Sequence, residues 1–415
     1  MSFDLDAVRA QFPALAIQDD GRRRIYFDNP AGTQVPAGVA AAMSDCLLRS
    51  NANLGGYFPS SAAADEVVES AREAIANLLN APSAREIVFG QNMTTITMHL
   101  SRSIGGLFQP GDEIILSRMD HDANVWPWVL LAKDLDLNVR WLPFSSETFE
   151  FDLHDLDELL TDKTRLICVG GASNLTGTLN DVTSICARAR AAGVLTFVDA
   201  VQSVPHVATD VQAIGCDFLV CSPYKFFGPH QGVLWGRLDV LEQLEPYKVR
   251  PAPQAVPACF ETGTQSHEGF AGIKAAVDYF EWIGTSMAKA EGGRAALVAA
   301  MELLFDYEKS LTEHLVEGLQ GLDGVKVLGI TAADAMDRRV PTVAFTHSSH
   351  APAHIAESLG RQNIFVWSGH NYAVEVARTL GIYESGGAVR VGPVHYNSLD
   401  EVDELLAELR QILAA

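Results

Sequence analysis

Short apolar runs alternate with helix-length amphipathic segments through roughly the first 250 residues of the chain. The runs are rich in Val, Ile, Leu and Phe, which is typical of buried strands, and helical patterns such as DVTSICARARAAG separate several of them. In order they are EIVFG (86–90), DEIILS (112–117), NVRWLPF, RLICVGG, VLTFVD, DFLVCS and GVLWG. This alternation predicts βα units and an α/β fold, with a mostly parallel seven-stranded sheet flanked by helices.

The pattern changes after about residue 265. A long helical stretch, with glycines at 284, 292 and 293 that could interrupt it, precedes the strand-like runs GVKVLGI, VPTVAFT, IFVW and AVRVGPV. EVDELLAELRQIL then closes the chain as an amphipathic helix. We therefore predict a large domain over residues 20–265 and a smaller α+β domain made of residues 1–19 and 266–415. The segment DLDAVRAQFPAL is expected to form a short helix that packs on the smaller domain.

Composition and charge exclude several classes of partner. The formal charge of −22 and the pI near 4.8 argue against nucleic acid or an anionic membrane surface, because both attract clustered Lys and Arg. No apolar segment approaches membrane-spanning length, and the N-terminus lacks the basic and apolar regions of a targeting signal. The six cysteines show no CxxC spacing, so we expect buried, reduced thiols in a cytoplasmic protein.

Two polar residues follow neighbouring strand-like runs. Asp199 closes VLTFVD and Lys225 comes just after DFLVCS, so two adjacent parallel strands would bring both side chains to one sheet edge, where ligands bind in such folds. Each has a simpler explanation, an exposed strand end for the lysine and a helix cap for the aspartate. Pyridoxal phosphate requires a lysine for its Schiff base and a carboxylate beside its pyridinium nitrogen. We therefore predict this cofactor, with Lys225 and Asp199 as catalytic residues.

Further polar residues fall at the same edge. The turn QNMTT, with Asn92, Met93 and Thr94, begins a helix whose N–H groups would favour the cofactor's phosphate, although plain N-capping also explains it. Ser222 could add another phosphate contact. Gln202 could meet the phenolic oxygen of the cofactor ring.

Other candidates serve the cofactor ring and the substrate. His121, in SRMDHDANVWPW, could lie flat over the ring and move protons, or be an ordinary loop histidine. With Asp120 and Asp122 it could also suggest a metal site, but adjacent residues on one loop rarely complete a coordination sphere, so no metal is predicted. Asn174 follows RLICVGG at the same edge, or is a turn residue. Arg390 is alone inside the apolar run AVRVGPV, and its burial requires a carboxylate from substrate or protein.

Together these motifs resemble fold-type I pyridoxal phosphate enzymes of the class V aminotransferase superfamily, nearest to the SUF-type cysteine desulfurase and selenocysteine lyase group. The resemblance covers nearly the whole chain. YFDNPAGTQVP (26–36) is similar to that group's opening strand and turn, DHDANVWPW to its EHHANxxPW segment, SNLTGT to its SNxxGT loop and SPYKFFGP to its SGHKxxGP motif. VDAVQS, ETGTQSHEG and VRVGPVHYNSLDEVD also have counterparts there.

The resemblance implies a role for each matched position. It carries ring stacking onto His121, cofactor and substrate contacts onto Asn174, cofactor contacts onto Asp199, Gln202 and Ser222, the Schiff base onto Lys225 and the grip on the substrate carboxylate onto Arg390. It also implies a homodimer, because the threonine matched by Thr264 reaches the phosphate bound by the neighbouring subunit.

Several positions depart from the family pattern. The segment that carries the sulfur-accepting cysteine, RTGHHCA in the family, reads VWSGHNYA here, which places Tyr372 at the cysteine and Trp367 at the arginine. Tyr224 replaces the histidine before the Schiff-base lysine, and NMTT replaces a GTTE-like phosphate segment. Tyrosine cannot store sulfane sulfur, which requires a thiolate, so persulfide formation is not expected.

The sequence therefore predicts a pyridoxal phosphate-dependent enzyme that acts on a small amino acid. A C–S or C–Se lyase that works by β-elimination is the leading hypothesis, with Trp367 and Tyr372 shaping the pocket for the substrate side chain. Transamination or epimerisation remains open, since both need the same electron sink. A third possibility is a cofactor-binding but catalytically weak partner protein.

Overall fold

The computed structural model describes residues 3–414. Within them the strands are β1 (Gln18–Asp19), β2 (Arg22–Arg23), β3 (Ile25–Tyr26), β4 (Ile87–Gly90), β5 (Glu113–Ser117), β6 (Asn138–Leu142), β7 (Thr164–Gly170), β8 (Leu195–Asp199), β9 (Phe218–Cys221), β10 (Gly232–Gly236), β11 (Val325–Leu328), β12 (Val343–His347), β13 (Ile364–Phe365), β14 (Trp367–Gly369) and β15 (Ala388–Val391).

The α-helices in the same range are α1 (Leu5–Arg9), α2 (Ala37–Arg49), α3 (Pro59–Leu79), α4 (Met93–Gly105), α5 (Trp126–Leu135), α6 (Leu153–Leu159), α7 (Val182–Ala191), α8 (Val211–Ile214), α9 (Leu238–Leu241), α10 (His267–Ser286), α11 (Arg294–Gln320), α12 (Pro352–Gly360), α13 (Val374–Thr379) and α14 (Leu399–Ala414). None of these helices is long and apolar enough to cross a membrane.

The main sheet has seven strands in the order β4-β10-β9-β8-β7-β5-β6. Neighbouring strands run parallel except around β10, which is antiparallel to both β4 and β9. Both faces are covered, because Val233 and Trp235 on β10 pack into one apolar cluster and Leu234 into another. Helices α3, α7 and α10 contribute to the first cluster, and α4 and α5 to the second. The predicted mostly parallel seven-stranded α/β sheet is confirmed.

A smaller antiparallel sheet has the order β11-β12-β15-β14, with α11 and α14 packed on it around a separate apolar cluster. The N-terminal segment contacts both parts, because Arg9 forms a 2.9 Å ion pair with Glu401 at the start of α14 whereas Val8 and Phe12 pack into the first cluster of the main sheet. Helix α10 packs on α2 and α3 as well as on α11. The domain boundary at residue 265 stays a prediction.

The long helical stretch predicted after residue 265 is two helices, α10 and α11, separated at residues 287–293. Gly292 and Gly293 lie in this break, whereas Gly284 remains inside α10. A Cβ at position 284 would lie 1.9 Å from the carbonyl oxygen of Ala296, so this glycine allows the two helices to cross closely. All six cysteines are buried and unpaired, as the sequence predicts.

A buried polar cluster joins the main sheet to the smaller one. Glu308 of α11 is almost fully buried, and its carboxylate lies 2.7 Å from His206 Nδ1 and accepts the His395 backbone N–H at 3.0 Å. His395 Nε2 in turn lies 2.8 Å from the hydroxyl of Tyr279 on α10. Because every member has a polar partner, the cluster fixes α10 and α11 against the segment that follows β15.

Candidate active site

The carboxyl ends of β8 and β9 meet at one edge of the main sheet. Asp199, the last residue of β8, pairs in register with Val220 of β9, and a 3₁₀ turn after β9 carries Lys225. This edge opens into a cavity of about 930 Å³, the size of a small-molecule site. The polar residues thus lie beyond the carboxyl ends of the parallel strands, where open α/β sheets bind ligands.

The structure brings together nearly all of the residues that the sequence singled out. Those lining the cavity are Asn92, Met93, Thr94, His121, Asn174, Asp199, Gln202, Ser222, Tyr224, Lys225, Trp367, Tyr372 and Arg390. Thr264 is the exception. It is exposed and lines a separate, smaller cavity together with residues 51–53.

Lys225 is buried with its amino group toward the cavity. Its Nζ donates a hydrogen bond to the carbonyl oxygen of Pro30, which also accepts a 3.0 Å bond from Gln202. Burial and, to a smaller extent, the positive charge of Arg390 lower the pKa of Lys225 to about 7, against the opposing effect of Asp199. The amine is therefore neutral for much of the time near pH 7, as a nucleophile or a base requires.

Two buried carboxyls lie at this edge. Burial raises the pKa of Asp199 to about 6, although the Val201 N–H at 2.9 Å and the nearby lysine favour its charged form. Burial also raises the pKa of Asp120 to about 7, despite the Gly170 N–H at 2.8 Å, and the charge of Asp199 adds to the rise. A positively charged ring nitrogen beside Asp199 would restore its charged form.

His121 presents a neutral ring to the cavity. Its Nδ1 accepts the Ala123 N–H at 3.0 Å, so the remaining ring proton is assigned to Nε2. Burial and, to a smaller extent, the positive charges of Lys225 and Arg390 lower the pKa of His121 to about 3. The ring stacks on Tyr372, with centroids 5.4 Å apart and planes inclined by 25°.

The N-terminus of α4 forms a cradle at the edge of the cavity. Asn92 caps the helix, because its Oδ1 accepts the Thr95 N–H at 2.8 Å, so the capping explanation holds. A helix start still presents N–H groups suited to a phosphate. Gly232 lies directly behind, and a Cβ there would be 2.3 Å from the carbonyl carbon of Asn92 and 2.6 Å from the nitrogen of Met93.

Arg390 and Asn174 form a second polar group opposite the lysine. Arg390 Nη1 donates to the Asn174 carbonyl oxygen at 2.9 Å. In the described residues, Arg390 Nε, Asn174 Oδ1 and Asp28 Oδ1 are buried without a hydrogen-bond partner. Burial lowers the pKa of Arg390 to about 10, so the guanidinium stays charged at neutral pH. Unpaired buried polar atoms are costly, and their grouping here indicates a site built for a polar ligand.

Sequence reasoning missed several cavity and near-cavity residues. Asp120 was considered only as a metal ligand, although its place just after β5 at the same sheet edge could have identified it. Asp28 lies in the quoted YFDNPAG turn and beneath Arg390, but its burial depends on the smaller sheet. His230 stacks on Tyr224 with centroids 5.0 Å apart, a contact for which the sequence holds no signal.

A near-neutral buried lysine, a buried carboxylate on the adjacent strand and a helix N-terminus fit pyridoxal phosphate. On this fold they define a fold-type I pyridoxal phosphate-dependent enzyme. The Aminotransferase class-V family model matches residues 25–405, and the chain belongs to this family. The cofactor of the family is pyridoxal phosphate, and the predicted superfamily is confirmed.

The similar proteins are cysteine desulfurases. A cysteine desulfurase from Serratia proteamaculans is 33% identical over 427 residues, which is 99% of each chain. The apo cysteine desulfurase from Thermococcus onnurineus is 27% identical with a TM-score of 0.88, over 99% of this chain and 98% of that one. The cysteine desulfurase CsdA from Escherichia coli, solved with an S-sulfonic acid, is 26% identical with a TM-score of 0.84, over 100% and 99%. The chain therefore lies in the cysteine desulfurase-like branch.

Proposed function

We propose that this protein is a lyase that cleaves the C–S or C–Se bond of a small amino acid by β-elimination and releases a free thiol, sulfide or selenide. The observation that carries the proposal is the lack of a thiol at the site. Among residues 3–414 no cysteine lines the cavity, and all six are buried elsewhere. Tyr372 lies where the resemblance places the sulfur-accepting cysteine, and a phenol cannot form a persulfide.

The residues near Lys225 would hold the cofactor. When bound, pyridoxal phosphate supplies an electron sink that stabilises negative charge at the substrate Cα. Asp199 would hold a proton on the pyridine nitrogen, and Gln202 would face the ring edge. The phosphate would be met by the backbone N–H groups of Met93 and Thr94 and by the hydroxyl of Ser222.

Arg390 and Lys225 would handle the substrate. The guanidinium of Arg390, with its unpaired Nε, binds the α-carboxylate and orients Cα toward the amine of Lys225. Lys225 takes the proton from Cα, and its pKa of about 7 suits a base at neutral pH. As the Cα–H and Cβ–S bonds break, the sulfur leaves with a proton as a thiol. The remaining 2-aminoacrylate reacts with water to give pyruvate and ammonium.

Product analysis tests this reaction. The holoenzyme is incubated with L-cysteine and with S-alkyl cysteines, and thiol, pyruvate, ammonium, alanine and the D-amino acid are measured. We expect thiol and pyruvate in equal amounts, no alanine, and no reaction with Lys225→Ala. Alanine with protein-bound sulfur contradicts the proposal, a keto acid without thiol indicates a transaminase, and a D-amino acid indicates an epimerase. If no amino acid reacts, the protein is a cofactor-binding partner protein instead.

We also propose that the protein works as a homodimer. The end of α2 and the segment that joins it to α3 carry exposed large apolar side chains, among them Leu48, Tyr57 and Phe58, and such a patch is typical of an interface. Thr264 lies beside this segment, in the cavity it shares with residues 51–53. The proximity supports the role that the resemblance implies for Thr264, a contact to the phosphate in the neighbouring subunit.

A further inference from the structure

Residues 369–372, which we call the wall segment, adopt an unusual backbone conformation beside the cavity. Asn371 and Tyr372 are consecutive residues with φ of +50° and +59°, in the left-handed region. Each non-glycine residue in this region is disfavoured by about 1 kcal/mol or more, so the conformation persists only where surrounding contacts fix it. The contacts that do so come from three directions.

Two backbone carbonyls of the wall segment are held by the main-sheet loops. Asn174 Nδ2 donates to the Asn371 carbonyl oxygen at 2.7 Å, and the Asp122 N–H donates to the Tyr372 carbonyl oxygen at 2.8 Å. Within the segment, the Tyr372 N–H donates to His370 Nδ1 at 3.0 Å. The segment is therefore tied to the loops that follow β5 and β7.

The smaller sheet supports the wall segment from behind. A Cβ on Gly387 would lie 2.1 Å from the carbonyl carbon of Gly369, so the two backbones are in direct contact. After the segment, the Ala373 N–H donates to the His370 carbonyl oxygen at 2.8 Å, and the Ala373 side chain is fully buried. The wall segment is thus fixed at both ends as well as in its middle.

The Tyr372 ring acts on His121. It stacks on the imidazole, while the Ala123 N–H holds Nδ1 of the same ring, so the imidazole is fixed in plane and in tautomer. The Tyr372 carbonyl holds Asp122, the next residue along from His121. Tyr372 therefore reaches His121 through its ring and through its backbone.

We propose that the wall segment is a fixed wall of the site and that Tyr372 is a positioning residue that acts through His121. The ring of Tyr372 restrains the plane of the imidazole, which would present one face to the cofactor, and its carbonyl holds the loop that carries the imidazole. A consequence, which rests on the proposed function, concerns the leaving group. Tyr372 places a phenol and no thiolate at this wall, so the sulfur leaves as a free thiol or as sulfide.

Hydrogen exchange tests the fixed wall without reference to activity. In both the apoprotein and the holoenzyme, the amides of Asp122 and Tyr372 should exchange at least a hundredfold more slowly than unstructured peptide. Residues 384–386, an exposed turn in the same region, serve as the matched control and should exchange fast. Exchange of both amides at the rate of this turn would overturn the proposal, whatever reaction the enzyme catalyses.

A double-mutant cycle tests the positioning role. Tyr372→Ala should change the visible circular dichroism of the bound cofactor and lower kcat about tenfold, whereas Tyr372→Phe, which keeps the stacked ring, should keep the circular dichroism of the wild type. In a His121→Phe background Tyr372→Ala should have no further effect on either quantity. Equal losses in both backgrounds would mean that Tyr372 acts independently of His121, which contradicts the proposal.

Sulfur analysis of the wild type tests the consequence for the leaving group. With L-cysteine as substrate, we expect no cyanolysable sulfur on the protein and equal amounts of sulfide and pyruvate. Cyanolysable sulfur on the wild type would contradict this consequence. If the wild type instead performs another reaction, the proposed function fails while the exchange result still decides the wall.

Discussion

At the scale of single residues, burial and neighbouring charges alter the pKa values of the ionisable groups in the site. Burial lowers the pKa of the Lys225 amine, and the positive charge of Arg390 adds to this effect when no substrate carboxylate is bound. The same burial raises the pKa of Asp199 to about 6, and a cationic partner would stabilise its carboxylate. Each group thus has an altered pKa that a bound ligand would change, which is typical of functional sites.

The coupling between Arg390 and Lys225 gives a pH-dependent prediction. Arg390→Met removes one of the two causes that lower the lysine pKa, so this pKa should rise from about 7 toward its ordinary value of 10.5. Acetylation of Lys225 in the apoprotein, followed by mass spectrometry as a function of pH, should then show its inflection at higher pH. Arg361→Met, at an exposed position just after α12, is the control and should leave the inflection unchanged. The same inflection in both variants would contradict the coupling.

The sequence contains part of this residue-scale information. Asp199 and Lys225 could be identified because each follows an apolar run and the cofactor requires both side chains. The position of Asp120 after a strand could be read in the same way, but its altered pKa could not, since that arises from burial by segments far apart in the chain. Similarly, the stacking of Tyr372 on His121 joins residues 251 positions apart, and no local pattern encodes it.

At the scale of elements, strand β10 and helix α4 are packed as one unit. Gly232 opens β10, and its lack of a side chain lets the strand touch the start of α4. The apolar run GVLWG predicted the strand, but a run of apolar residues carries no direction, so its antiparallel orientation between β4 and β9 could not be predicted. The helix start that faces the cavity therefore depends on a strand contact visible only in the fold.

This contact gives the second prediction. Gly232→Ala places a Cβ against the backbone of Asn92 and Met93, so α4 must shift. We expect a loss of about 1–3 kcal/mol in the free energy of unfolding and faster release of the cofactor, measured by denaturant titration and by absorbance. Gly38→Ala, in an exposed part of α2 with open space around it, should instead be neutral or stabilising by about 0.5–1 kcal/mol. Unchanged cofactor release in Gly232→Ala would contradict the role of the α4 N-terminus in binding the cofactor phosphate.

At the scale of the whole molecule, the apolar patch around the connection from α2 to α3 is exposed to solvent, and packing within the chain does not account for it. Leu48, on the last turn of α2, is 81% exposed, and Tyr57 and Phe58 are exposed just before α3. Residues 51–53, between them, line a cavity with Thr264. The patch shares its neighbourhood with the residue proposed to reach a second subunit. A dimer would therefore bury the patch and complete the cofactor site in one step.

The double variant Leu48→Glu/Tyr57→Glu tests the dimer. Placing two charges in a buried apolar interface should produce a monomer in light scattering, and the monomer should bind the cofactor more weakly because Thr264 no longer reaches it. Leu399→Glu, at an exposed apolar position that begins α14, is the control and should remain dimeric. A wild type that is already monomeric, or a double variant that stays dimeric, would rule this interface out.

Asn174 links two parts of the site that a protein engineer would want to change separately. Its backbone oxygen holds Arg390, and its side-chain nitrogen holds Asn371. A chimaera with a cysteine-bearing loop from a sulfur-transferring relative would lose the bond between Asn174 and Asn371. Asn174, whose carbonyl oxygen accepts from Arg390, would then be held less firmly. Gaining sulfur transfer would therefore cost substrate affinity, unless the loop after β7 is transplanted together with it.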